Sequence, residues 1–271
     1  MHGRLEKMVT HNPSSVRYDL VLNGDVIALN SLLGKTMTLT HTGRLICGHC
    51  RQVMKKSFNQ GYCYPCFARL AQCDMCMMKP ETCHFDAGTC REPSWAESFC
   101  FQPHFVYLAN TSGLKVGITR HTQIPTRWID QGAIQALPIF KVNSRRLSGQ
   151  IEVLLASHVG DKTQWQRMLK HQIESIDLIA KRDELIALCE NGLAVLAQQN
   201  QGGIEFLSEA NVVDLNYPIP TPPLKVTALN FDKTPSVSGV LRGIKGQYLI
   251  FDQGVLNVRK FSGYEVIFSV S

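Results

Sequence analysis

Nine of the ten cysteines lie between Cys47 and Cys100, and most sit in CxxC pairs. In a long chain that format points to metal thiolates in a reducing compartment, and away from a disulfide framework. The clearest unit is CGHC (Cys47, Cys50), twelve residues, then CYPC (Cys63, Cys66). Each pair puts two thiolates on one side of a tight turn, and a hairpin between the pairs closes a tetrahedron around zinc. Four thiolates leave no open position for substrate, so the expected role is structural. Arg51, Lys55 and Lys56 in the intervening hairpin are basic and suited to phosphate. A second cluster follows directly, CDMCMMKPETCHFDAGTC. Cys73, Cys76, Cys83 and Cys90 make its simplest four-thiolate set, with His84, Cys100 and His104 as further candidates. The irregular spacing also suits an iron–sulfur cluster. Zinc is preferred because the adjacent ribbon already selects it, and two structural Zn²⁺ ions per chain are expected.

A different chemistry is suggested by His104–Gly132, HFVYLANTSGLKVGITRHTQIPTRWIDQG. Two β-prone runs flank Asn-Thr-Ser-Gly, a hairpin signal, and a basic loop and a helix start follow. This arrangement resembles the GIY-YIG nuclease family. Phe105-Val106-Tyr107 stands in the place of the first tripeptide and Lys115-Val116-Gly117 in that of the second. Arg127 falls at the position of the family's helix arginine and Glu152 at that of its metal-binding glutamate. The resemblance covers about a third of the chain. It implies that Tyr107 assists attack by water, Arg127 steadies the scissile phosphate, and Glu152 holds a catalytic Mg²⁺ or Mn²⁺ that stabilises the leaving oxygen. Lys115 replaces the second tyrosine; lysine neutralises phosphate but is a poor base at its ordinary pKa of about 10.4. Arg120, His121, Arg145 and Arg146 are candidate substrate contacts, His121 also for proton transfer. The implied activity is metal-dependent cleavage of a DNA or RNA phosphodiester. The alternative is a zinc-containing nucleic-acid-binding protein that keeps a nuclease-like fold without cleavage.

The elements that must position these residues divide the chain into four. Residues 1–45 alternate apolar and polar residues, with Asn23-Gly24-Asp25 and Thr42-Gly43 as turn signals, and form a small β segment. Residues 46–103 are the double cysteine module. Residues 104–200 are the α/β domain, in which IQALPIFKV is a further strand and Asn143–Arg146 a basic loop. Ser148 caps a helix from about Gly149 to Val159, and Asp161 caps the next. One longer helix over Asp177–Gln199 carries a core stripe of Leu178, Leu185, Leu188, Leu193 and Leu196. Residues 201–271 hold a proline-rich spacer, Tyr217–Pro223, and about five strands of an SH3- or OB-like barrel. The first segment can complete that barrel, because both are β and lie at opposite ends of the chain.

The predicted class is therefore α+β and multidomain: zinc-ribbon-type modules, a GIY-YIG-like domain, and small β units at both termini. The order of motifs (ribbon, second cluster with GTCREP, then VYLA, KVGITR and TRWIDQGA) resembles an uncharacterised bacterial and archaeal family of cysteine-rich zinc proteins. The 271 residues are 44% apolar, enough for a core. No apolar run is long enough for a bilayer and the N-terminus lacks a signal-peptide core, so a cytoplasmic protein without a membrane partner is expected. A net charge of +6 is mildly basic and discriminates little by itself.

Overall fold

The computed structural model describes residues 1–160, 164–170 and 172–271. Asp161, expected to cap a helix, lies outside the described residues. Among these residues the chain is mixed α and β, with the strands in three antiparallel sheets. The two ends of the chain share the largest sheet. His2–Arg4 pairs with Tyr264–Val270, which pairs with Thr36–Ile46, then Ser236–Lys245, Tyr248–Phe251 and Val255–Asn257. Residues 1–45 and 201–271 thus contribute to one sheet. Thr42-Gly43 is not a turn: Thr36–Ile46 runs through it, and Gly43, at φ 86°, lies where the ladder slips between Tyr264 and Val266. A glycine accepts the positive φ of such a bulge, so a turn signal can sit inside a strand. Asn23-Gly24 does turn the chain, both at positive φ, between Arg17–Leu22 and Asp25–Ala28.

The second sheet has His104–Asn110 at its centre, between Leu114–Arg120 and Gln135–Val142. Side chains alternate across a strand, so the central strand serves two cores. Val106 and Leu108 face the helix side with Leu147, Ile151, Leu155, Leu178 and Leu185. Tyr107 and Ala109 face Trp128, Ile129 and the residues of the terminal sheet. This double burial leaves the α/β unit wedged between its own helices and the terminal sheet.

The helix after the third strand is Arg145–Ala156, four residues earlier than expected, because Ser144 rather than Ser148 is the cap. The Leu147 N–H donates to the Ser144 hydroxyl at 3.3 Å, while Ser148 lies buried in the first turns and bonds back to the Arg145 carbonyl. Arg145 and Arg146 are therefore helical, not loop. The expected long helix is two, Leu178–Leu188 and Glu190–Gln199, broken at Cys189. Within the first of these, Leu178 and Leu185 lie two turns apart on the buried face, whereas Leu188 falls off that face and is exposed. In the proline-rich stretch, Tyr217 is tied down by its hydroxyl, which donates to the Ala133 carbonyl at 2.7 Å.

Candidate functional site: a thiol-rich module beside an arginine cleft

The long strand Thr36–Ile46 delivers Cys47 and Cys50 into a tight turn, and Cys63 and Cys66 flank the start of the helix Tyr64–Arg69. All four sulfurs lie within 4.8 Å of one another, and the Cys50 and Cys63 sulfurs are 3.7 Å apart. The group can hold one metal ion and is compatible with zinc. Backbone amides already point at it, with the Cys63 N–H 3.3 Å from the Cys47 sulfur. Burial raises the Cys47 thiol, but the N–H bonds from Cys63, Cys50 and His49 outweigh it and pull it down to about 6. Burial and the neighbouring sulfurs push Cys66 up. One thiolate is thus favoured and its neighbours resist becoming charged, the situation a dication relieves.

Cys73 lies with this first group, buried against Cys47, Met54, Cys66 and Leu70. Its sequence partner Cys76 instead lines a separate small cavity with Cys83, Cys90 and Cys100. The expected set of Cys73, Cys76, Cys83 and Cys90 is therefore divided between two places. Asp74, Cys76 and His84 also approach within 4.8 Å. The Asp74 carboxylate is already engaged, by Arg91 Nε at 2.6 Å, His84 Nε2 at 3.4 Å and the Cys76 N–H at 3.3 Å. Burial raises that carboxyl, but these three partners together hold it below its ordinary range. The trio is better described as a capped ion-pair network than as a ligand set.

A cleft of about 490 Å³ opens where this module, the α/β unit and the terminal sheet meet. Lys7, Arg91, Arg120, Arg127, Arg145 and Arg259 all line it. Two acids, Asp74 and Asp130, also line it, and pair with Arg91 and Lys7. Arg120, Arg127 and Arg145 have no carboxylate within 4.0 Å among the described residues. Arg120 stacks over the Phe99 ring at 3.8 Å, and Arg145 Nη2 donates to the Met77 carbonyl at 2.8 Å. The Nε of Arg145 is buried and has no hydrogen-bond partner. Such a donor gains most from an incoming oxygen, because it has already been taken out of water.

Arg127 and Glu152 each lie within electrostatic reach of Tyr107. Burial pushes the Tyr107 hydroxyl up to about 12; Arg127 acts against that rise and Glu152 adds to it. Yet Tyr107 is fully buried, and its hydroxyl donates to Gln131 Oε1 at 2.7 Å. Neither Tyr107 nor Glu152 is among the cleft-lining residues. The phenol lies over Gly117 on the paired strand, where a Cβ would meet its Cζ and hydroxyl at 2.7 Å. Lys115 shares that face, two pairs nearer the hairpin turn, opposite Ala109. His121 is exposed in a short turn outside the cleft. Arg146 points away and pairs with Asp86 at 2.6 Å, both exposed.

Sequence reasoning missed Lys7, Arg91, Arg259 and Gln131. The first three come from distant segments with no shared spacing. Gln131 did carry a signal, since it follows Arg127 by four residues, one helical turn.

No helix among the described residues is long and apolar enough to cross a membrane. Residues 34–266 match the family described as "protein of unknown function (DUF2797)". Neither the curated proteins nor the solved structures include a match.

Proposed function

We propose that this chain, which belongs to the DUF2797 family, holds the phosphate backbone of a nucleic acid in its arginine-lined cleft. One observation carries the reading: Arg120, Arg127 and Arg145 converge on a single cleft without carboxylate partners among the described residues. Converged guanidiniums repel one another, and folding tolerates that when a polyanion supplies the missing charge. Arginine forks match phosphate oxygens two at a time, and release of condensed counterions drives the binding. A thiolate metal site compatible with zinc stiffens the wall beside the cleft. Its groove offers a secondary contact, with Lys55, Lys56, Phe58 and Tyr64 lining one surface. Cations interleaved with aromatic rings suit the backbone and bases of a single strand.

Metal-dependent hydrolysis is the second reading, favoured by the grouping of Tyr107, Arg127 and Glu152 on a hairpin strand, the next helix and the helix after the third strand. That order is the one the GIY-YIG resemblance implies, with Mg²⁺ or Mn²⁺ at Glu152. A buried phenol held near 12 is a poor base, which places binding ahead of cleavage.

The test is anisotropy with labelled single- and double-stranded DNA and RNA across a salt series. Binding should weaken steeply with salt, and Arg127→Ala or Arg145→Ala should each lower the salt slope by about one. Absence of binding at low salt sinks the proposal. Cleavage with Mg²⁺ or Mn²⁺, lost in Glu152→Ala, would move the hydrolytic reading to first place.

A further inference from the structure

Cys76, Cys83, Cys90 and Cys100 are contributed by four separate short segments. Cys76 sits in the turn Met75–Met77, Cys83 caps the turn Pro80–Thr82, Cys90 lies in a loop, and Cys100 ends the helix Pro93–Cys100. No sequence motif unites them, yet all four line one small cavity of about 20 Å³, and all are free thiols. The rest of the wall combines Phe85, Trp95, Ala96 and Phe101 with Asp74, His84 and Arg91, which pair with one another. Phe85 and Phe101 close it edge to face, centroids 4.8 Å apart.

The two quartets differ in size. A zinc ion bound by four thiolates at about 2.3 Å needs its sulfurs about 3.8 Å apart, edge to edge of a tetrahedron. The first quartet meets that demand, with every sulfur within 4.8 Å of the others; the second does not close to that limit. Four thiols that line one cavity without closing to the spacing of a single ion describe a larger, thiolate-ligated occupant. Iron–sulfur clusters are that kind of occupant, and they accept four cysteines in irregular spacing. The surroundings suit the negative charge of a cluster with four thiolates. Arg145 and Arg120 both lie within electrostatic reach of Cys100.

We propose that Cys76, Cys83, Cys90 and Cys100 ligate an iron–sulfur cluster, while Cys47, Cys50, Cys63 and Cys66 hold a single metal ion. Cys73, despite its CxxC spacing to Cys76, is not a ligand. The inference is independent of nucleic-acid binding, and its test reads metal and sulfide only.

The full-length protein is purified without oxygen from iron-sufficient cells and assayed for iron, acid-labile sulfide, zinc and visible absorbance. Iron and sulfide are expected in equal amounts, at least about two of each per chain as the smallest four-cysteine cluster requires, beside about one zinc. Cys100→Ala should lose iron and sulfide and keep the zinc. Cys73→Ala should keep all three. Wild-type protein with about two zinc and neither iron nor sulfide overturns the cluster. Loss of iron from Cys73→Ala but not from Cys100→Ala overturns the ligand set. If Cys100→Ala is insoluble, the wild-type composition still decides the occupant and Cys73→Ala still tests the fourth ligand.

Discussion

The first cysteine quartet hangs from the end of an eleven-residue strand and the start of a six-residue helix. The second is drawn together from two single turns, a loop and the last residue of a helix. One strand end and one helix start supply the whole first quartet, and its sulfurs close on one another. The second depends on packing from outside. The helix Arg145–Ala156 lies against the Pro80–Thr82 turn, and Arg145 reaches over to the Met77 carbonyl. The same helix carries Arg145 into the cleft. Damage at the second quartet should therefore be felt at the cleft, and damage at the first should be felt in the terminal sheet.

The sharpest way to break this contrast is to remove one ligand from the first quartet. Cys66→Ala should lose the metal ion and cost on the order of 10 kcal/mol, the scale of structural thiolate sites. Val53–Met54 pairs with Thr36–Ile46 in the terminal sheet immediately beside the quartet. The variant should thus aggregate or melt far below the wild type in a thermal scan. A soluble, wild-type-like melt with no bound metal would show that the terminal sheet supports itself.

Legibility in the sequence followed the same division. The first quartet was readable because its ligands are paired within two tight turns at a spacing that one hairpin can close. The hairpin of His104–Asn110 and Leu114–Arg120 was readable from alternation and the Asn-Thr-Ser-Gly turn. The second quartet was not, because the CxxC spacing of Cys73 and Cys76 competes with burial of Cys73 beside Met54 and Leu70. Only tertiary packing decides which wins. The cleft was half visible: Arg120, Arg127 and Arg145 stood out near the hairpin, whereas Arg91 and Arg259 arrive from other segments. Ser148 and Ser144 are both serines able to cap a helix; Ser144 holds that place, and Gly149 packs closely against Pro80 and Glu81.

Acid offers a second comparison. His104 leads out of the cysteine module into the central strand, and it is fully buried. Burial lowers its pKa to about 4, with Arg145, Arg120 and His121 adding to the fall against the Gln102 carbonyl that raises it. The folded pKa lies below the unfolded value of about 6.5. The unfolded chain therefore takes up a proton that the folded chain refuses. Stability from this residue is fully present above pH 6.5 and is lost as pH falls from about 6.5 to about 4. The shift corresponds to about 3 kcal/mol. Denaturant melts of wild type and His104→Phe across that window should diverge, with the wild type falling more steeply. Parallel curves would place the acid sensitivity in the thiolates alone.

The smallest expected effect is also the most local test of how the second quartet is held. A Cβ on Gly149 would meet Pro80 Cβ at 2.6 Å and the Glu81 amide nitrogen at 2.8 Å. Both atoms belong to the turn that precedes Cys83, and a backbone nitrogen cannot swing aside as a side-chain tip can. Alanine favours a helix over glycine by about 1 kcal/mol, so an unobstructed site would gain. Overpacking against backbone typically costs about 1–3 kcal/mol, and the clash here should win, leaving Gly149→Ala about 1 kcal/mol less stable. Gly192 provides the control, because the atoms in its way are the end of the Leu154 side chain, at 2.8 Å. That end can rotate, so Gly192→Ala should be neutral or slightly stabilising. Gly149→Ala should also push the arginine helix away from the second quartet, lowering its metal content and loosening the Arg145 contact with the cleft. The first quartet should keep its metal. Chemical denaturation read beside metal analysis separates these outcomes. If Gly149→Ala is as stable as Gly192→Ala and loses no metal, the second quartet does not depend on the helix, and the contrast with the first disappears.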